Sequence, residues 1–142
     1  MAEQTKTLKA TMGFKIRFSE VDAMRVVWHG SYAKYFEDAR EHFGQQYDLG
    51  YELIETSGYY APIVDLSFQY KLPLRYGMQP QITIIYRPTE AAKIVFDYEI
   101  HNPDDGSLMA TGHSVQVFMD KDYQLMWESP AFYETWKKRW NV

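Results

Sequence analysis

The sequence predicts an α+β protein in which an antiparallel β-sheet wraps around one long central α-helix, with a short C-terminal helix. Apolar residues between positions 32 and 43 recur at spacings of three and four, the period of a helix with one apolar stripe. From residue 59 onward apolar and polar residues alternate, as in strands with one buried face. Because such a helix and such strands can bury their apolar sides together, the 142 residues are predicted to form one domain, 1–142.

The N-terminal half contributes one strand and the long helix. The first strand is predicted over the alternating run Phe14–Phe18, and a connector with the carboxylate of Asp22 follows it. The long helix begins near His29-Gly30-Ser31 and spans roughly four turns. Its apolar stripe consists of Tyr32, Tyr35, Phe36, Ala39 and Phe43. Asp48-Leu49-Gly50 ends this helix, and a short second helix is predicted within Tyr51–Ser57.

Four strands and a last helix make up the rest of the chain. The strands are predicted at Pro62–Leu72, around Ile82–Tyr86, around Ile94–His101 and at Leu108–Met119, with a turn at Asn102–Gly106. In the last strand, the inner face is predicted to carry Val115, Val117 and Met119. A C-terminal helix starts at Ser129-Pro130, with a hydroxyl cap followed by proline, and has Phe132, Trp136 and Trp140 on one face.

Composition excludes several classes of function. A net charge of −4 argues against nucleic-acid binding. The chain has no cysteine, so thiolate chemistry and disulfides are impossible. The four histidines, His29, His42, His101 and His113, follow no metal-ligand spacing, so no metal is expected. No apolar run approaches the ~18 residues of a membrane span, so we expect a cytoplasmic protein without membrane contact.

The connector and the helix start together indicate acyl-transfer chemistry. The first amides of a helix lack intrahelical acceptors, so the N–H groups of His29 and Gly30 can donate to a carbonyl oxygen on which charge builds. Gly30 has no side chain and would let a substrate approach the backbone. Asp22 would act on the same carbonyl group as nucleophile or general base.

The stretch from Asp22 to Tyr32, continued by Tyr35-Phe36-Glu37 and Ala39-Arg40, resembles the signature of the 4-hydroxybenzoyl-CoA thioesterase family of hotdog-fold acyl-CoA thioesterases. The resemblance covers nearly the whole chain. It implies a hotdog fold and hydrolysis of an acyl- or aryl-CoA thioester, with Asp22 catalytic and the N–H of His29 polarising the thioester carbonyl. It also implies that 44–58 walls an acyl pocket.

Two positions depart from the family pattern. Arg25 stands where the family usually has glycine, and Phe18 stands where some members have a tyrosine. Two alternative functions therefore stay open. One is a non-catalytic module that binds acyl thioesters, with Asp22 only structural. The other is a hydratase or dehydratase, which is weaker because Val27 occupies the position where such hotdog proteins commonly place histidine.

Further residues are assigned to substrate binding. We expect Trp28 and Tyr32 to contact the substrate and the His29 side chain to orient substrate or water. Because coenzyme A is anionic and the chain is acidic, local cations must bind its phosphates, and the candidates are Arg25, Arg75, Arg87 and Lys93. The substrate is carried by coenzyme A or an acyl carrier protein, and no cofactor is expected. The resemblance further implies a homodimer or homotetramer.

Overall fold

A computed structural model describes residues 7–142. Two single turns of 3₁₀ helix, Phe18–Glu20 and His29–Ser31, lie between the first strand and the long helix. In this part of the chain no helix is long and apolar enough to cross a bilayer. The remaining elements, in chain order, are β1 (Lys9–Gly13), α1 (Tyr32–Tyr47), α2 (Tyr51–Thr56), β2 (Tyr59–Tyr60), β3 (Ile63–Tyr70), β4 (Gln81–Arg87), β5 (Lys93–His101), β6 (Leu108–Val117), β7 (Met119–Asp120) and α3 (Ala131–Trp140).

Five strands form one antiparallel sheet in the order β1-β4-β5-β6-β3. In β5 every second residue is buried, from Ile94 to Ile100, as the alternating sequence predicts. The short strands β2 and β7 form a separate pair. The sheet therefore has two edges, β1 and β3.

The helix α1 lies against the inner face of this sheet, and the hotdog arrangement predicted from the sequence is confirmed. All five residues of its predicted stripe are at most 3% exposed. Phe36, in the middle of the stripe, stacks on Tyr98 of β5 with ring centroids 4.4 Å apart. The helix ends at Asp48, whose φ of 56° is left-handed, and α2 follows as predicted.

The first strand lies earlier than predicted. β1 pairs with β4, whereas 14–17 is irregular and the next three residues form a 3₁₀ turn. The alternation arises because this connector buries Ile16 and packs Phe14 4.4 Å from the ring of Tyr35, without pairing as a strand. Phe18, at the end of the run, is 77% exposed.

The predicted inner face of β6 was wrong. Gly112 lies opposite Tyr98 and Ser114 opposite Phe96, so the small residues of β6 face α1. Val115 and Val117 lie on the other face of the sheet, opposite Val95 and Lys93 respectively. The reason is steric, because a Cβ on Gly112 would overlap the ring of Phe36.

The C-terminal helix packs as predicted but begins differently. Its N-cap is Pro130 and no side chain caps it, so the predicted hydroxyl cap was wrong. Trp136 is buried as predicted, and its indole N–H donates to the carbonyl of Tyr47 at 2.7 Å, which ties α3 to the end of α1. The sequence analysis missed Tyr133, which is fully buried and shares a hydrogen bond with the hydroxyl of Tyr86.

Candidate active site

A tight hairpin at 20–28 carries Asp22 near its tip. The N–H of Asp22 donates to the carbonyl of Val26 at 2.9 Å, and the N–H of Trp28 donates to the carbonyl of Glu20 at 2.8 Å. Because main-chain hydrogen bonds close both ends of the hairpin, they fix the position of Asp22 relative to the start of α1.

The carboxylate of Asp22 is oriented by its own turn. Its Oδ1 accepts a hydrogen bond from the N–H of Met24 at 2.8 Å, and its main-chain carbonyl accepts one from the N–H of Arg25 at 2.9 Å. Asp22 is partly buried, and within residues 7–142 its Oδ2 accepts no hydrogen bond. One oxygen is thus held in place while the other is available to a ligand or water.

Arg25 adopts a left-handed backbone conformation, with φ of 65°. This conformation costs an L-residue about 1–2 kcal/mol and glycine almost nothing. The position where the family usually has glycine therefore keeps the glycine conformation here, at the expense of backbone strain. The turn geometry survives the substitution, and the arginine adds a cation three residues after Asp22.

The start of the long helix presents main-chain donors beside this hairpin. The N–H of Ser31 donates to the carbonyl of Trp28 at 2.9 Å, which forms the 3₁₀ turn. The amides of His29 and Gly30 lie in this first turn, where a helix provides no acceptor for them. Both residues are exposed, so the amides suit an oxyanion, as the sequence predicts.

The space beside Gly30 is not open, contrary to expectation. The indole of Trp28 lies where a side chain of residue 30 would stand, and a Cβ on Gly30 would overlap three of its ring atoms. The Trp28 ring is itself 52% exposed and lies 4.9 Å from the imidazole of His29. Glycine is thus required here because the Trp28 ring lies against residue 30.

Two tyrosines, Tyr32 and Tyr70, pack against each other next to the turn at His29–Ser31. Tyr32 is only 3% exposed and packs edge-on against Tyr70 with centroids 4.7 Å apart, so it lies in the core rather than on the site surface. Tyr70, at the end of β3, donates its hydroxyl to the carbonyl of His29 at 3.0 Å. Tyr70 lies within the strand predicted at Pro62–Leu72, and nothing in the sequence pattern connects it with the site.

Glu20 is a second residue that the sequence analysis missed. Its carboxylate is buried and accepts hydrogen bonds from the N–H of Arg17 at 2.7 Å and the hydroxyl of Tyr35 at 3.1 Å. Burial raises the pKa of Tyr35, and the Glu20 carboxylate raises that pKa further, so the phenol stays a donor. The available signal was a glutamate three residues after Arg17, the spacing of a capping box.

The four candidate cations lie in two places. Arg75 pairs with Val26 of the hairpin, and Arg25 lies within it, so both flank Asp22. Arg87 ends β4 and Lys93 begins β5, at the opposite end of the sheet. About six residues of strand, or roughly 20 Å, separate them from the site end of the sheet.

A groove of about 1320 Å³ opens farther along α1, between the three helices and the sheet. It begins at Glu37, about 12 Å along the helix from His29. Arg40 lies at its edge, with a side chain 15% exposed that donates to the hydroxyl of Tyr98 at 3.1 Å. Its walls are largely apolar and include Leu49, Ile54, Ile94, Phe96, Phe132 and Trp136.

Comparison with known proteins gives a consistent result. Residues 16–136 match the thioesterase-like superfamily. YneP of Bacillus subtilis (strain 168), which carries the provisional name of acyl-CoA thioesterase, is 30% identical over 108 residues. This match covers 76% of the chain and 78% of YneP.

Solved structures have the same fold. The DHNA-CoA thioesterase of Staphylococcus aureus superposes with a TM-score of 0.81 at 26% identity, over 92% of this chain and 90% of that one. A variant of 4-hydroxybenzoyl-CoA thioesterase in complex with 4-hydroxybenzoyl-CoA superposes with a TM-score of 0.77 over 90% and 97%. Its identity is 18%, so this second likeness concerns the fold alone.

Proposed function

The chain belongs to the thioesterase-like superfamily and is an acyl-CoA thioesterase, and from this premise we propose that Asp22 and the amides at the start of α1 form its active site. One observation carries the proposal. A single hairpin, closed by the hydrogen bond between Trp28 and Glu20, carries the partly buried carboxylate and leads directly into the helix start, where within residues 7–142 the amides of His29 and Gly30 have no main-chain acceptor.

The proposed reaction is hydrolysis of the thioester. Asp22 takes a proton from water as the water oxygen attacks the thioester carbon, and the N–H groups of His29 and Gly30 bind the oxyanion that forms. Collapse of the tetrahedral intermediate expels the thiolate of coenzyme A, which gains a proton. Alternatively, Asp22 attacks the carbon itself and water cleaves the resulting anhydride. Label in the Asp22 carboxylate after a single turnover in ¹⁸O-labelled water would show attack by Asp22, because general-base catalysis places the label only in the product acid.

Residues around the hairpin would bind the coenzyme A part and the acyl part of the substrate separately. Arg25 and Arg75 flank the hairpin and would bind coenzyme A phosphates, whereas Arg87 and Lys93 lie at the opposite end of the sheet. The exposed indole of Trp28 and imidazole of His29 would contact the substrate near the thioester. The apolar groove along α1 would take the distal part of a long acyl chain, with the region 44–58 as one wall.

We also propose that two copies of the chain associate through β3. This strand is a sheet edge whose main-chain groups can pair with another strand. It exposes 57% of Val64, 37% of Leu66 and 50% of Tyr70, and Leu72 just beyond is 45% exposed. A second copy paired along this edge would cover apolar surface that a single chain leaves in water. Sedimentation of the wild type and of Leu66→Lys, whose charge would oppose pairing, tests the association.

Hydrolysis of a panel of acyl-CoA thioesters tests the function. Short, long and aryl thioesters are offered to wild type and Asp22→Asn, and free thiol is measured, with Asp104→Asn as control for loss of an exposed carboxylate. We expect hydrolysis by wild type and by the control, and a loss of about 10²-fold or more in Asp22→Asn. Binding without hydrolysis by wild type would instead indicate a binding module.

The same assay covers two further parts of the proposal. The mechanism uses no cofactor, so activity should persist after dialysis against a chelator. Acyl-carrier thioesters, offered beside coenzyme A thioesters, identify the carrier. The cytoplasmic location expected from the composition is likewise proposed, and cell fractionation tests it.

A further inference from the structure

Tyr70 and the peptide between His29 and Gly30 share a hydrogen bond that joins the end of β3 to the start of α1. The Tyr70 hydroxyl donates to the carbonyl of His29 at 3.0 Å. The carbonyl of His29 and the N–H of Gly30 belong to the same peptide group. The hydroxyl therefore acts on the same peptide as the Gly30 N–H, which is a candidate oxyanion donor.

A hydrogen bond accepted at a peptide carbonyl strengthens the N–H of that peptide as a donor. Such cooperative polarisation strengthens each hydrogen bond by about 10–30%. The preceding peptide has the same arrangement, because the carbonyl of Trp28 accepts the N–H of Ser31 at 2.9 Å while the N–H of His29 lies in the first turn, where the helix provides no acceptor for it. Both candidate oxyanion donors thus belong to peptides whose carbonyls are already hydrogen-bonded.

Neighbouring aromatic rings hold the ring of Tyr70 in the position from which its hydroxyl donates to the His29 carbonyl. It packs edge-on against the buried Tyr32 at 4.7 Å and lies 6.3 Å from Phe68, whose ring in turn contacts Phe36 of α1 at 4.9 Å. Although Tyr70 is half exposed, these ring contacts hold its hydroxyl at the start of α1.

We propose that Tyr70 is a positioning residue of the oxyanion site, which orients and polarises the His29–Gly30 peptide. This inference rests on the proposed function, because it assigns the Gly30 amide to the oxyanion. Charge on the substrate oxygen is greatest in the transition state, so a stronger donor lowers the barrier more than it tightens substrate binding. Tyr70 touches neither substrate nor reacting atoms and acts only through the peptide.

The first test compares Tyr70→Phe with wild type in hydrolysis of the best substrate from the panel. The substitution keeps the ring and removes only the hydroxyl. We expect kcat to fall about 2- to 8-fold, because polarisation supplies about 10–30% of the free-energy effect that corresponds to the roughly 10²–10³-fold loss on deleting a direct oxyanion donor. KM should change less than about twofold, because uniform binding is not affected.

Tyr133→Phe is a matched control. The Tyr133 hydroxyl also donates to a main-chain carbonyl, that of Lys93 at 3.0 Å, but it lies in α3 at the opposite end of the sheet. Its removal costs a comparable hydrogen bond without touching the site, so kcat should stay within about twofold of wild type. An equal loss of kcat in both variants would overturn the proposal, since it would reflect general destabilisation.

A second test uses fluorotyrosine at position 70, which nearly keeps the shape of the side chain and makes the phenol a stronger hydrogen-bond donor. Assayed at a pH where the phenol stays protonated, kcat should rise with the acidity of the phenol while KM stays constant. A kcat that is independent of the acidity would overturn the proposal even if Tyr70→Phe proved unstable.

The outcomes separate this inference from the function itself. Activity that needs Asp22 but does not respond to any change at Tyr70 refutes only the inference. Absence of thioester hydrolysis in wild type, or full activity in Asp22→Asn, refutes the proposed function instead.

Discussion

The indole of Trp28 occupies the space that a side chain on Gly30 would need. A Cβ at residue 30 would overlap the six-membered part of the indole ring. The N–H of the same residue is one of the two proposed donors to the oxyanion. The choice of glycine therefore depends on the tryptophan two residues earlier and not on an open approach for substrate.

Gly30→Ala should displace the Trp28 ring and shift the adjacent amide. We expect kcat/KM to fall about 10- to 100-fold while the protein stays folded, because the misplaced donor weakens transition-state binding. Steady-state kinetics and thermal unfolding measure the two effects. Gly13→Ala is the control, since a Cβ there would meet only the carbonyl oxygen of Pro80 at 3.9 Å.

The displacement can be tested in a double variant. In the background of Trp28→Ala, the alanine at residue 30 has no indole to overlap, so its additional effect on kcat/KM should shrink to about threefold or less. Equal effects of Gly30→Ala in both backgrounds would contradict the steric explanation.

Arg25→Gly should relieve the strain of the left-handed turn. Glycine adopts a φ of 65° freely but loses more entropy on folding, so the net gain in the free energy of unfolding is about 0.5–1 kcal/mol. If Arg25 binds coenzyme A, KM should rise several-fold at the same time and approach wild type at high salt. Denaturant unfolding and kinetics measure both quantities, and Arg25→Lys should leave both near wild type.

The sequence predicts those parts of the fold that local periodicity determines. The apolar residues of α1 recur with the helical period over several turns, and those of β5 alternate along the whole strand. The buried faces predicted for both elements are therefore confirmed. The inner face of β6 carries glycine and serine because α1 supplies the volume there, and a hydropathy pattern assigns that face to the more apolar Val115 and Val117. Which of the two elements, α1 or β6, carries the large side chains in the space between them depends on how they pack in three dimensions.

The candidate site was likewise only partly predictable from the sequence. Asp22, His29 and Gly30 lie within eight positions, so their spacing in sequence is a sufficient signal. The bonds of Tyr35 to Glu20 and of Tyr70 to His29 join residues 15 and 41 positions apart. No local pattern encodes such contacts, so these supporting residues emerge only from the structure.

Gly112→Ala should destabilise the core beneath α1. The added methyl group would overlap the ring of Phe36, which is fully buried and stacked on Tyr98. We expect the free energy of unfolding to fall by about 1–3 kcal/mol, the usual cost of overpacking. Denaturant unfolding measures it, and recovery of stability in Gly112→Ala with Phe36→Leu would confirm the steric cause. No recovery in the double variant would contradict it.

Asp97 should make stability depend on pH in the acid range. Burial raises its pKa, but hydrogen bonds and charge from His113 and Arg87 outweigh burial and hold the pKa below the ordinary value of 3.8. The His113 Nδ1 lies 2.6 Å from one carboxylate oxygen, and Arg87 Nε donates to the other at 2.7 Å. Because the folded-state pKa is lowered, this stabilisation is present above about pH 5 and is lost as the pH falls through the folded-state pKa.

Asp97→Asn should therefore be less stable than wild type at pH 7, by about 1 kcal/mol or less because the pair is partly exposed. The difference should shrink as the pH falls below 3.8. Denaturant unfolding across this range measures it, with Asp104→Asn in the exposed turn after β5 as control. A difference that stays constant down to low pH would contradict the electrostatic origin.

The central claim is that the carboxylate of Asp22 carries out the chemical step, and single-turnover hydrolysis tests it most directly. Excess Asp22→Asn or wild type is mixed with the best acyl-CoA substrate, and thiol release is followed without any contribution from product dissociation. The account predicts a rate constant at least about 10²-fold lower in the variant, with the substrate dissociation constant changed less than about threefold. A single-turnover rate within a few-fold of wild type would contradict it and would leave Asp22 only a turn residue.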